Sequence, residues 1–304
     1  MSRGMACCLT VVLLWGLQPF FMKAALIEFD AYTISWFRLT GACVLLLCMS
    51  RARWKEYLYA MKPNLLPLFA TGLCLAVNYF TFIKGIDLGG PITAGVTIQV
   101  GPVLLALVGV VWFRERLARL QILGVIVASL GFFLFFKERL GVASITELQA
   151  DAVGVVIISA IFWVGFCIGQ KMLGSRVGVN IVNLAAYLFS ALLLSPFITL
   201  PESYQILTAS FAAMIYLSIS TTVAYWALGE AIRLVPVSIV SLCIVTNPIV
   251  TIVVVEILLF FGNIFFEPYP LTGIGYLGTC IALVGVAIAV AKRTPRISRL
   301  EIVE

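Results

Sequence analysis

Histidine is absent from the 304 residues, and acids and bases together make up only 11% of them. Without imidazole the chain lacks the commonest metal ligand and the side chain best suited to move protons near neutral pH. A soluble domain carries about a quarter charged residues because its surface faces water. So small a charged fraction excludes a water-soluble protein. Acids are scarce where a proton-driven carrier would need one: none falls near the centre of an apolar stretch, Glu256 coming closest, which argues against proton antiport. The eight cysteines all lie in apolar segments and none has CxxC spacing. They read as small buried hydrophobes, with no disulfide framework. No metal or other cofactor is expected.

What the chain does have is apolar residues, 62% of the total, with a mean hydropathy of +1.11. A spanning helix takes roughly 20 of them, and ten stretches qualify: 5–27, 32–49, 64–86, 92–113, 120–136, 152–172, 179–198, 207–229, 236–261 and 271–291. The first carries Trp15, Gln18, Pro19 and Lys23 where a signal peptide would have a small-residue cleavage site, so it reads as a retained helix. With the N-terminus in the cytoplasm, fifteen of the twenty Lys and Arg fall in cytoplasmic segments. These are Arg3; Arg51, Arg53, Lys55 and Lys62; Arg114, Arg116 and Arg119; Lys171 and Arg176; Arg233; and Lys292, Arg293, Arg296 and Arg299. Only Lys137 and Arg139 fall outside. The bias predicts that both termini are cytoplasmic. The net charge of +6 comes with no basic face interleaved with aromatics, so nucleic acid is not an expected partner.

The two halves of the sequence are related. A shift of 148 places Trp15 on Trp163 and Lys23 on Lys171, and a shift of 146 places Tyr79 on Tyr225, Ile86 on Ile232 and Pro102 on Pro248. Loop charges reverse sign under the same shifts: Glu28 and Asp30 face Arg176, the basic run 51–62 faces Glu202, and Asp87 faces Arg233. Five helices per half is an odd number, so the second half must enter the membrane upside down and its loops change sides. The expected architecture is an all-α polytopic membrane protein of ten helices. Two inverted five-helix repeats, 1–136 and 152–304, would be joined by a linker at 137–151, with a basic tail at the C-terminal end.

Polar and aromatic residues within spans are tolerated where they face the bundle interior. Trp15, Gln18 and Met22 share one helical face, and Trp163, Phe166 and Gln170 share the matching face of the sixth helix. Asn78, Tyr79 and Phe82 in the third helix match Thr221, Thr222, Tyr225 and Trp226 in the eighth. Thr93, Thr97 and Gln99 in the fourth match Ser238, Ser241, Thr246 and Asn247 in the ninth. Their recurrence in both halves favours a central binding cavity; the alternatives are tryptophans that pack or anchor at the interface and hydroxyls that bond their own helix. Pro102 and Pro248, in matched helical interiors, are hinges or static kinks. Lys23 and Arg38 would snorkel outward, pair with Glu28 or Asp30, or hold an anionic group of the substrate. Glu230 and Lys84 read as interfacial residues at span ends. Glu115 and Glu267 mark the start of the last helix of each half as capping or loop residues.

The segment WGLQPFFMK at 15–23, YTISWFRLTGA around Arg38, the stretch 100–131 with its Pro102-to-Glu115 spacing and QxxG at 121–124, and ten helices in two halves resemble the EamA family of the drug/metabolite transporter superfamily. The likeness covers essentially the whole chain. The second half departs from the pattern by about eight extra residues around 262–270. The resemblance implies a carrier whose central cavity opens alternately to either side, and family members move amino acids and other small metabolites or drugs, frequently outward. An aromatic, uncharged polar lining suits a small amphipathic metabolite, carried by a facilitator or exchanger in the bacterial inner membrane. The expected partners are that substrate and the lipid bilayer, with the protein a monomer or weak homodimer. The alternatives are a channel or structural partner protein without alternating access, and a membrane-embedded enzyme, which would need clustered acids, histidine or an activated nucleophile.

Overall fold

A computed structural model of the chain describes residues 2–49, 54–115, 117–142, 147–199, 209–260 and 273–291. Every regular element among them is helical. Of the residues named above, Arg51, Arg53, Arg116, Glu202, Glu267, the insertion at 262–270 and the basic tail lie outside the described residues, as do the side chains of Pro19, Thr93, Lys137, Arg139 and Glu256.

The first half contains α1 (Arg3–Ala25), α2 (Ala31–Met49), the short α3 (Trp54–Met61), α4 (Leu65–Thr97), α5 (Val100–Val111) and α6 (Arg119–Val142). The second contains α7 (Glu147–Gly174), α8 (Val179–Leu194), α9 (Ala209–Leu234), α10 (Val237–Ile244), α11 (Asn247–Phe260) and α12 (Gly273–Ala291). Six helical stretches are long and apolar enough to cross a membrane: 3–25, 31–49, 55–89, 151–174, 179–197 and 209–234. Four shorter apolar stretches, at 100–111, 119–134, 237–251 and 273–289, overlap the remaining expected spans. Helical backbone also enters both ends of the expected linker, since α6 runs to Val142 and α7 begins at Glu147.

Helix starts are dictated locally. Ser2 caps α1 by accepting from the Met5 amide, and Asp30 caps α2 by accepting from the amides of Tyr32 and Thr33 at 2.8 and 3.1 Å. Gly178, at φ +94°, takes the left-handed turn between α7 and α8 that a side chain would strain.

The packing relates the halves. α1 lies on α9 as α7 lies on α4; α2 meets α9 as α8 meets α4; α1 meets α11 as α7 meets α5. The pairs α2–α8 and α6–α12 map onto themselves under the same exchange. Small residues set the close approaches: a Cβ on Gly131 would stand 2.2 Å from the Ala282 amide nitrogen, and one on Gly285 2.2 Å from that of Ala128, so α6 and α12 touch backbone to backbone.

Asn78 and Gly101 both pack against residues 159–160 of α7. A straight helix rising about 1.5 Å per residue would hold them about 34 Å apart. The chain therefore bends between them, although its helical backbone runs from Leu65 to Thr97. After α9 the chain turns at Val235 and Pro236 instead.

The fourth and ninth expected spans are each interrupted, at Ile98–Gln99 and at Val245–Thr246. This corrects the reading of Pro102 and Pro248 as residues of helix interiors. Each sits in the first turn of a new helix, α5 or α11, where a missing amide proton costs nothing. The breaks are bridged by tighter i to i+3 bonds, Gly101 to Ile98 at 2.9 Å and Thr246 to Cys243 at 3.1 Å.

Candidate functional site

At the middle of the bundle, rings from both halves meet edge to face. Trp15 of α1 lies 5.9 Å from Trp163 of α7 and 5.5 Å from Tyr225 of α9, and Phe166 of α7 lies 5.0 Å from Tyr225. Tyr79 of α4 and Tyr187 of α8 close the ring of neighbours around Tyr225 at 6.1 and 6.5 Å. Such pairs favour one another by about 0.5–1.5 kcal/mol beyond area burial. Both helix breaks border this centre. Gly101, just after the first, packs on Trp163, and Gly16, next to Trp15, packs on Val250 and the Asn247 carbonyl just after the second.

Beside the rings lies Arg38, only 2% exposed. Its Nε and Nη2 donate to Thr221 Oγ1 at 3.3 and 3.2 Å, and its guanidinium carbon stands 4.6 Å from the centre of the Tyr79 ring. The Tyr79 hydroxyl donates to the same oxygen at 3.2 Å, the Tyr187 hydroxyl donates to the Thr221 carbonyl at 3.4 Å, and the Thr221 hydroxyl donates to the Leu217 carbonyl at 2.7 Å. The ion pairs Arg3–Glu230, Arg233–Glu230, Lys84–Asp87 and Lys171–Glu115 do not include Arg38. Neither snorkelling nor pairing with Glu28 or Asp30 describes it: the helix turns this cation inward. Asp30 is spent on the α2 cap, where it also accepts from the Thr33 hydroxyl at 2.6 Å and from Thr199 Oγ1.

The other expected site residues divide. Asn78 donates to the carbonyl and hydroxyl of Ser159 at 3.1 and 2.8 Å and fastens α4 to α7. Gln170 donates to Asn183 Oδ1 and fastens α7 to α8, leaving its own Oε1 without a partner. Phe82 packs in a separate apolar group with Met22 and Ile34. Ser241 bonds the Ser238 carbonyl of its own helix at 2.8 Å, and Thr246, in the break after α10, bonds the Cys243 carbonyl at 2.6 Å. Trp226 is 38% exposed and stands apart from the central rings. Gln18 and Thr97 are partly exposed, and Lys23 is exposed near the end of α1. Sequence reasoning missed Tyr187, Ser159 and Asn183. Tyr187 could have been found as the one large polar ring in an Ala- and Leu-rich helix; Ser159 and Asn183 carry no such signal.

Glu115 does not start the last helix of its half. The chain turns at Arg114, φ +50°, and the Glu115 carboxylate accepts from the Val237 and Ser238 amides at 2.7 and 3.1 Å and from the Ser238 hydroxyl at 2.9 Å. It thus caps α10 in the other half. Lys171 reaches the same carboxylate at 3.4 Å and the Ile232 carbonyl at 3.1 Å. Glu230, read as interfacial, is buried at this same end between Arg3 and Arg233, at 3.0 and 2.8 Å. The opposite end has a cleft of about 500 Å³ lined by Asp30, Tyr32, Phe80, Lys84, Asp87 and Phe197, off the aromatic centre. All eight cysteines are free, and Cys48 and Cys280 are exposed where burial was expected.

The description of the EamA-like transporter family matches residues 2–137 and again 152–291. The chain belongs to that family. This EamA-like protein is 24% identical to an uncharacterized transporter of Haemophilus influenzae, over 94% of each chain. It is 26% identical to the uncharacterized inner membrane transporter YhbE of Escherichia coli, over 93% of this chain and 89% of the relative. A crystal structure of a protein 16% identical superposes with a TM-score of 0.75 over 96% of this chain and 97% of the other, so the two share a fold. The EamA-like chain is an integral membrane protein of a transporter family.

Proposed function

We propose that this EamA-like chain is a secondary carrier that moves small amphipathic metabolites, amino acids or similar solutes, by alternating access between two inverted five-helix repeats. The observation that carries the reading is the meeting of Trp15, Trp163 and Tyr225 from both halves, between two interrupted helices. Interrupted helices at a repeat interface are where carriers place substrate, because free backbone groups and bending are both available there. The matched helix pairings and the double match of the family description support two repeats of about equal length. Ten spans with both termini cytoplasmic account for Arg3, Lys171 and Arg233 lying at one end and Asp30 and Lys84 at the other. The name of the Escherichia coli relative supports the inner membrane.

The site is the aromatic centre with Arg38, the protein works as a monomer or weak homodimer, and net transport is outward. Among the described residues no carboxylate borders the central rings, which favours a facilitator or exchanger over proton antiport. Reconstituted protein should show saturable uptake and counterflow of a labelled apolar amino acid, unchanged by an imposed pH gradient. Trp163→Ala, which removes an edge-to-face partner, should lower transport about tenfold while the protein still inserts. Flux that never saturates and shows no counterflow would make the protein a channel, and steep dependence on the pH gradient would make it proton-coupled.

A further inference from the structure

Tyr187 stands in α8 where Arg38 stands in α2. Three residues further on, Gly41 packs against Ser218 of α9, and Ser190 donates to the Gly72 carbonyl of α4 at 2.7 Å. The corresponding Tyr79 and Tyr225 face each other across the same centre. Of these four residues in two matched pairs, Arg38, Tyr79 and Tyr187 hydrogen-bond to Thr221, Tyr225 follows it by four residues in α9, and three of the four are tyrosines. Arg38 is the exception: a permanent cation at a position whose counterpart is neutral.

A buried guanidinium is ordinarily matched by a carboxylate, because removing it from water is costly unless charge and hydrogen bonds are supplied in return. Here the described surroundings supply a tyrosine face and one threonine hydroxyl that is also engaged by Tyr79 and Leu217. If the role were only to tie α2 to α9, a neutral hydrogen-bonding residue such as the tyrosine of α8 would do so without burying charge. The guanidinium fork matches the two oxygens of a carboxylate in plane.

We propose that Arg38 is the specificity-determining residue of the carrier, the anchor that selects solutes bearing a single carboxylate. It rests on the carrier reading given above. In the closed packing Thr221 holds the fork; when the halves part, the solute's carboxylate takes that place, and its apolar body lies among Trp15, Trp163 and Tyr225. A single cation suits a monoanion and is too little for a phosphate dianion, which would call for several converging bases.

The test uses the full chain and matched probes: phenylalanine, leucine and 3-phenylpropionate, each against its carboxamide. Binding is read by thermal stabilisation in detergent and by the fluorescence of the central tryptophans, and transport by counterflow in liposomes. At least one carboxylate should bind the wild-type chain about tenfold or more tighter than its carboxamide. Arg38→Gln should abolish that preference, and Arg38→Lys should keep part of it. Thr221→Val, which removes the resident acceptor, should tighten carboxylate binding without changing carboxamide binding. The wild-type comparison stands even where Arg38→Gln fails to fold. Equal binding of the paired probes, a preference that survives in Arg38→Gln, or no binding by any of the carboxylates would overturn the anchor. Counterflow of carboxylates and carboxamides alike would overturn it and leave the carrier, whereas carboxylate-selective binding without counterflow would leave the anchor and overturn the carrier.

Discussion

Asp30 holds two turns of chain together through one carboxylate. It accepts from the amides that open α2, from the Thr33 hydroxyl and from Thr199 at the end of the helix α8 region, while the Thr199 amide donates to the Thr33 hydroxyl at 3.2 Å. Partial burial pushes its pKa up, but the bonds from Thr199, Thr33 and the two amides outweigh that and hold it below the ordinary 3.8. A carboxyl whose folded pKa is depressed lends stability that is complete above the ordinary value and lost as pH falls through the folded one. The melting temperature in detergent should therefore decline below about pH 4 in the wild type. In Asp30→Ala that part of the decline should vanish, with a loss at neutral pH of about 1 kcal/mol from the missing cap. An unchanged melting temperature at neutral pH would mean that the cap does not stabilise α2. At this scale the sequence was informative where chemistry is rare: Trp15, Trp163 and Tyr225 stood out because large rings recur at matched positions. Arg38 stood out as a charge, but its inward direction depends on Thr221, 183 residues away, and no local pattern encodes that.

The helices themselves follow from apolar length, and what the sequence left open is where they stop. Pro102 and Pro248 looked like hinges or static kinks within continuous spans, yet the chain breaks a few residues earlier and restarts with each proline in its first turn. Both outcomes relieve the same missing hydrogen bond, so the proline alone does not choose between them. The α6–α12 pairing was equally hidden, because its glycines and alanines carry no polarity to mark a face. Yet it supplies a sharp expectation. Gly131→Val would push its side chain into the Ala282 backbone rather than into a movable side chain. The two helices must separate, at a cost of about 1–3 kcal/mol, read as a lower melting temperature. The carboxylate preference should stay as it is, because the pair stands apart from the central rings. A melting temperature equal to the wild type would show that α6 and α12 do not pack this closely.

For the whole molecule, the uneven charge seen along the sequence becomes a physical end of the bundle where the halves are tied together. Glu115 from the first half caps α10 of the second, Lys171 bridges that carboxylate to the end of α9, and Arg3 joins Glu230 across α1 and α9. The opposite end carries the described cleft. If alternating access is the mechanism, the Glu115 contacts must part for the tied end to open, and their strength sets how often it does. Glu115→Gln keeps an acceptor for the α10 amides but gives up the charge that favours a helix N-terminus and Lys171, a loss of about 1 kcal/mol. Opening would become about fivefold more frequent. Cys8 and Cys243, both buried and held in α1 and α10, report on it. Their alkylation by a membrane-impermeant maleimide in inside-out vesicles, followed residue by residue in peptide mass spectra, should accelerate by that factor in Glu115→Gln. Exposed Cys48 supplies the reference rate that should not change. Equal rates at Cys8 and Cys243 in both proteins would mean that Glu115 fastens a static seam, and that the gate lies elsewhere.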